Sequence, residues 1–169
     1  MNAEELRAAQ TPLKTLYKEQ PTAAFRTLSA RGRIGVDAPT VRIETGHGKV
    51  LAGLHPATGG SGEDACSGDM LLEALAACAG VTLKAVATAL GIEIRDGRVL
   101  AEGDLDFRGT LGVAKDVPVG FSAIRLSFDL DTDAGDEQLK TLLNLAERYC
   151  VIYQTLRQPP QISISRRQA

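Results

Sequence analysis

Over residues 98–109, Val99, Ala101, Leu105 and Phe107 alternate with Arg98, Glu102, Asp104, Asp106 and Arg108. A period of two marks a half-buried strand, and 121–131 repeats it with Ile124, Leu126, Phe128 and Leu130 on one face. Upstream, 22–31, 40–46 and 49–56 read as three further strands of an antiparallel meander. Turn signals at Gly32, Asp37-Ala38-Pro39 and Gly46-His47-Gly48 separate them. Two stretches have the helical rhythm instead. Residues 69–90 are apolar nearly all round, with Ser67 offering an N-cap and Gly91 a stop, so this helix must be covered on more than one side. Residues 136–157 put Leu139, Leu142, Leu143, Ala146, Tyr149, Cys150 and Tyr153 on an inner face, and Pro159 and Pro160 end them.

Residues 3–19 read as a short helix or arm with Pro12 near its middle and Pro21 closing it, and 161–166 read as a last strand. The Gly- and Ser-rich stretch 57–68 reads either as a connector or as a site loop. The order is three strands, helix, two strands, helix, strand. Strands and helices are segregated, which predicts an α+β fold. We divide the chain into an N-terminal helical arm, 1–21, and one domain, 22–169.

Composition narrows the function. With 169 residues, 44% apolar and 24% charged, the chain is ordinary for a globular protein. A net charge of −2 gives no electrostatic reason to expect nucleic acid or an anionic membrane as a partner. The run 70–90 approaches membrane-span length, but it carries Glu73 and Lys84 and is rich in alanine. A central lysine costs ~2.5–3.5 kcal/mol on insertion, so a buried helix of a soluble protein is expected. The first residues, MNAEELRAAQ, are acidic with no apolar core of a signal, and we expect a cytoplasmic protein.

Cys66, Cys78 and Cys150 are an odd number at wide spacing, which makes no structural disulfide framework. No C-x-x-C occurs, and the spacing of His47 and His55 from the cysteines fits no recognised ligand pattern, so no metal is expected. Cys78 and Cys150 each fall near the middle of a predicted helix, on or near its apolar face. Packed helices lie ~8–10 Å apart, and inward side chains there come within disulfide reach. Two readings stand: two independent core cysteines, or a buried pair. Cys66 lies outside the helices and is expected to be exposed. A reactive thiol must be a thiolate, and mid-helix placement brings no help from the helix's own dipole. A cation is therefore expected, from Arg31, Arg33 or Arg42 in the first sheet or from Arg148.

The runs SGDMLLEALAACAGVTL around Cys78 and LAERYCVIYQTL around Cys150 resemble the two cysteine motifs of the OsmC/Ohr family, the osmotically inducible and organic hydroperoxide resistance proteins. The likeness covers about residues 22–167. It implies two antiparallel sheets around two central helices, an intertwined homodimer, and active sites at the subunit interface. It also implies an organic hydroperoxide substrate and no metal or organic cofactor. Cys78 becomes the peroxidatic thiolate and Cys150 the resolving thiol, with a lipoyl-type dithiol or another thiol as reductant.

The family commonly places a Pro-Glu pair at the start of the first helix, the Glu ten residues before the cysteine, to hold an activating arginine. Here Ser67 and Gly68 stand there. Asp69, or else Glu63 or Asp64, is the expected substitute anchor for Arg33 or Arg31. The missing Glu leaves two other readings open, a non-catalytic member binding a small apolar ligand and a redox sensor.

Overall fold

The computed structural model describes residues 1–46 and 48–166, and His47 and the last three residues lie outside the described part. Helix α1, Ala3–Glu19, opens on a reciprocal cap: Asn2 accepts from the Glu5 N–H, and the Glu5 carboxylate accepts from the Asn2 N–H. It runs through Pro12 as expected and has no buried residue.

The first predicted strand is largely absent. Pro21 opens a 3₁₀ turn, Pro21–Ala24, which the Arg26 guanidinium holds by donating to the carbonyls of Ala23 and Phe25. Pairing starts only at β1, Arg31–Ile34, which runs antiparallel to β2, Val41–Thr45. Strand β2 pairs antiparallel with β3, Gly48–Gly53, so the meander itself is as expected. The stretch 57–68 is more ordered than its composition suggests. Pro56–Thr58 make a second 3₁₀ turn, and β4, Ala65–Cys66, pairs parallel to β3. That short parallel return delivers the chain to the long helix.

Helix α2, Ser67–Leu90, begins two residues early, with Cys66 rather than Ser67 at the N-cap position. It stops at Gly91, whose φ of 69° is the left-handed conformation that residues with a Cβ resist. The second sheet is β5, Asp96–Asp104, antiparallel to β6, Ala123–Asp131. The strand expected to continue to 109 ends sooner, because Asp106 caps a helical turn, α3, Phe107–Thr110, by accepting from the Arg108 N–H.

The predicted 136–157 helix is two helices, α4, Asp136–Tyr149, and α5, Val151–Arg157. Cys150 between them is extended, with φ −74° and ψ 109°. The break is stabilised locally. The Cys150 N–H closes α4 on the Ala146 carbonyl, the Gln154 N–H opens α5 on the Cys150 carbonyl, and the Gln154 side chain donates to the Glu147 carbonyl that α4 leaves free. The expected last strand does not form: 161–166 joins no sheet, and Ile162 and Ile164 stand almost fully exposed.

The core is a single stripe of α2. Leu75, Ala79, Leu83 and Ala87, four residues apart, are all buried. Leu83 and Ala87 meet Ile92, Leu142 and Ala146 in one cluster, and Leu75 and Ala79 meet Cys150 in another. By length and composition α2 is apolar enough to cross a membrane, but it supplies both core clusters of this fold. As expected, α2 is covered from more than one side, by β5, by α4 and α5 and by α1, yet Val81 is 72% exposed.

Candidate thiol site

Two sequence features make the site. The i, i+4 stripe of α2 faces the β5–β6 sheet and the α4–α5 pair, and Cys78 sits immediately beside Ala79 at its edge. The interruption at Cys150 then turns that residue's thiol into the same cluster, where it is 1% exposed while Cys78 is half-buried. Val99 and Ala101 of β5, Ile124, Leu126 and Phe128 of β6, and Ile152 and Tyr153 of α5 complete the surroundings. The two thiols are in contact.

Their environments pull them apart. Burial pushes the Cys78 thiol up, but the Ile152 amide, the Cys150 thiol, the Val151 amide and the Thr82 hydroxyl together outweigh burial, and the net shift is downward. Burial likewise raises Cys150, and the neighbouring Cys78 adds to the rise against the Tyr153 and Ile152 amides, so its net shift is upward. The donors around Cys78 act as oriented dipoles rather than as hydrogen bonds of regular geometry, and the thiolate is the form they favour. The arrangement therefore sets the two sulfurs apart, with ionisation favoured at Cys78 and disfavoured at Cys150.

The amides of Val151 and Ile152 belong to the first turn of α5, where N–H groups have no intrahelical partner. Sequence reasoning looked to a cation because Cys78 lies mid-helix, and the continuous helix read through Cys150 left no other donor in view. The break supplies polar N–H groups instead, and it is these, with the Cys150 thiol and the Thr82 hydroxyl, rather than a cation, that draw Cys78 down. Thr82 was also missed. Its signal was its place four residues after Cys78, on the same helix face.

The other predicted residues are placed elsewhere. Arg31 and Arg33 are exposed on β1, with Arg33 directly opposite Arg42 across the ladder. Arg148 lies over the exposed Tyr149 ring, 5.5 Å from its centroid. Asp69 is exposed in the first turn of α2, and neither it, Glu63 nor Asp64 forms an ion pair with an arginine among the described residues. Asp69 instead borders a cavity of about 440 Å³ at the start of α2, shared with Leu54, His55, Cys66, Leu72 and Phe121. Cys66 is half-buried there rather than exposed, because β4 pairs its backbone to β3. His55, outside any cysteine pair, stacks on Phe107 with ring centroids 4.8 Å apart.

A long apolar helix carrying a polarised thiol, packed on a two-stranded sheet beside a broken helix, defines a class of α+β thiol proteins. The family model described as OsmC-like protein matches residues 60–165, and the chain belongs to that family. Among curated proteins, none matches. Solved structures share the fold. The OsmC-like protein of Mycoplasma pneumoniae superposes with a TM-score of 0.66 at 17% identity, covering 79% of this chain and 89% of that one. An organic hydroperoxide resistance protein from Elizabethkingia anophelis gives 0.62 at 17% identity, covering 80% and 91%. The organic hydroperoxide resistance protein OhrB of Bacillus subtilis gives 0.53 at 23% identity, covering 80% and 94%. At these identities the likeness speaks for the fold.

Proposed function

We propose that this protein is a thiol peroxidase that reduces organic hydroperoxides without a metal or organic cofactor. The observation that supports it is the pairing of two thiols with opposite tendencies in one cluster, Cys78 half-buried and drawn toward the thiolate, Cys150 buried and shifted the other way. The Cys78 thiolate attacks a peroxide oxygen. An S–O bond forms, the O–O bond breaks, and the departing alkoxide takes a proton to leave as the alcohol. Cys78 is then a sulfenic acid, which condenses with the Cys150 thiol to a disulfide and water. A lipoyl-type dithiol or other thiol reductant, itself oxidised to its disulfide, returns both cysteines to thiols. The apolar walls around Cys78 favour an organic hydroperoxide over hydrogen peroxide, and two of the fold relatives named above are organic hydroperoxide resistance proteins. Arg31 or Arg33, anchored by Asp69, joins the site only when a second subunit brings it there. The reading places the protein in the cytoplasm, where thiol reductants are present.

The decisive experiment is peroxide consumption with dihydrolipoate as reductant. Dithiol-dependent consumption, faster with an organic hydroperoxide than with hydrogen peroxide, is expected, and no consumption of either overturns the reading. A second reading, a non-catalytic member binding a small apolar ligand between subunits, is favoured by Gly68 where the family has an acid and by the lack of a cation among the influences on Cys78.

We further propose a homodimer. The chain exposes 13300 Å², whereas a compact monomer of its 17.9 kDa mass exposes about 8,000 Å². The excess, about 5,300 Å² on each chain, is more than one partner's share of an obligate interface of roughly 2,000–5,000 Å² in total, so a second copy has ample surface to cover. A second copy covers Val81 and gives 161–166 an edge to pair with. Light scattering at micromolar concentration should return twice the chain mass, and a stable monomer there sinks the proposal.

A further inference from the structure

A straight helix through 136–157 would pair the Val151 N–H with the Glu147 carbonyl. The extended Cys150 between them, with ψ 109°, prevents this, and the Gln154 side chain takes that carbonyl instead, its Nε2 donating at 2.9 Å. The backbone bonds on either side of the break have the ordinary helical spacing and fit the straight form equally well. They run from the Cys150 N–H to the Ala146 carbonyl and from the Gln154 N–H to the Cys150 carbonyl. What distinguishes the broken form is therefore carried by side chains. In a straight helix Gln154 would lie about 10.5 Å along the axis from Glu147, and Arg157 about 15 Å, out of reach of both contacts seen here. In the broken form Gln154 holds the Glu147 carbonyl, and Arg157 Nη1 lies 2.6 Å from Glu147 Oε1. The same bend carries Cys150, 1% exposed, into the cluster of Leu75 and Ala79, with Cys78, Ile152 and Tyr153 packed against it. Residues 150–153, Cys-Val-Ile-Tyr, are modest helix formers, so they resist the break little, but none of them enforces it.

We propose that Gln154 is a positioning residue for the thiol pair, its side-chain amide holding the helix open at Cys150 and so keeping that sulfur beside Cys78. The inference rests on Cys78 and Cys150 being the redox pair of the proposed function. A contact shifts an equilibrium between two forms only by the difference in its strength between them, and this bond exists in one form alone. The ion pair of Arg157 and Glu147 shares that selectivity, but its side chains are 60% and 42% exposed, where such pairs contribute little. Gln154 and Glu147 are half-buried. A carbonyl left there without a donor favours the straight helix, in which Val151 satisfies it. Straightening re-aims everything after Cys150, and Ile152 and Tyr153 then leave the cluster that packs the two sulfurs together.

The test uses the reduced full-length protein labelled with carbon-13 cysteine. Gln154→Met keeps the length and the helix propensity and loses the N–H donors. Gln154→Glu keeps the shape and polarity and loses them too, whereas Gln154→Lys keeps a donor of similar reach. One readout is the Cα and Cβ carbon-13 shifts of Cys150, which follow its φ and ψ. The other is the Cys78–Cys150 disulfide equilibrium in dithiothreitol buffers, in which the two thiols give two electrons and two protons to the oxidised buffer. For Gln154→Met we expect Cys150 to move from extended toward helical shifts. The disulfide should form about tenfold less readily, a rise in potential of about 30 mV. Gln154→Glu should move both readouts the same way, and it carries the test if the methionine variant does not fold. Gln154→Lys should follow the parent protein.

A general loss of stability lowers the denaturation midpoint but moves neither readout in the folded protein. Either readout unmoved in the donor-less variants overturns the proposal, as does a lysine variant that behaves like the methionine one. Neither readout uses peroxide, so the peroxidase reading fails separately. A parent protein that closes the Cys78–Cys150 bridge but consumes no peroxide refutes that reading alone. Peroxide turnover with both readouts unmoved in the variants refutes the role of Gln154 alone.

Discussion

Cys78→Ser should abolish dithiol-dependent peroxide consumption, lowering the rate on the order of 10³-fold or more, while Cys150→Ser should stop turnover after one equivalent. The first loss follows from the chemistry of the nucleophile. A serine hydroxyl in this apolar cluster has no base beside it, and the amides of Val151 and Ile152 do not polarise it enough to ionise. The second separates attack from resolution. With Cys150 replaced, Cys78 still meets peroxide and becomes a sulfenic acid, but no thiol lies against it to form the disulfide. That sulfenic acid should be trapped by a dimedone-type reagent in Cys150→Ser and should be scarce in the parent protein. Cys66→Ser should turn over normally, because Cys66 lies at the start of α2 in a separate cavity. Stopped-flow peroxide kinetics and peptide mapping of the oxidised chain check all three. Equal rates for Cys78→Ser and the parent would remove the thiol from the mechanism, and a dominant bridge to Cys66 would overturn the pairing.

The site was legible in the sequence to the extent that local pattern carries it. Alternation along 98–104 and 123–131 gave two strands because one face of each is buried against α2, and the Leu-Ala stripe with Gly91 gave the helix that carries Cys78. What the pattern missed depends on contacts across the fold. The break at Cys150 has no proline or glycine to announce it. It rests on the Gln154 side chain reaching the Glu147 carbonyl, seven residues back, so periodicity alone reads straight through. Missing the break also hid the free amides that polarise Cys78, and so a cation was sought in their place. The strands expected at 22–31, apart from Arg31, and at 161–166 join no sheet within the chain. Phe25 and Leu28 are correspondingly left exposed, as are Ile162 and Ile164. The family resemblance supplied the roles of the two thiols, which spacing alone left open between a pair and two core residues.

Leu142→Ala should cost about 3–4 kcal/mol of stability and leave the chemistry of Cys78 unchanged. Leu142 is 0% exposed and belongs to the cluster of Leu83, Ala87, Ile92 and Ala146, one to two turns of α2 beyond the thiols. Truncating a fully buried leucine removes its transfer free energy and leaves a cavity, and the range for such sites is ~2.7–5.0 kcal/mol. Here β6 backs the site through Phe128 and Leu130, and a strand paired along its length cannot easily collapse into the gap, which argues for the middle of the range. Leu143, next in sequence, is the control. It is 41% exposed and borders an open groove of about 610 Å³ between β6 and α4, so in an isolated chain its truncation costs little. Denaturant melts at several protein concentrations separate the two. Leu142→Ala should lower the midpoint by a similar amount at every concentration, because the lost contacts are within the chain. Leu143→Ala should lower it chiefly at low concentration if a second copy covers the groove, since binding stabilises by mass action. A Leu142→Ala cost below about 1 kcal/mol would mean that α4 does not pack on α2 through this residue, and the placement of Cys150 beside Cys78, which depends on the same packing, would fall with it.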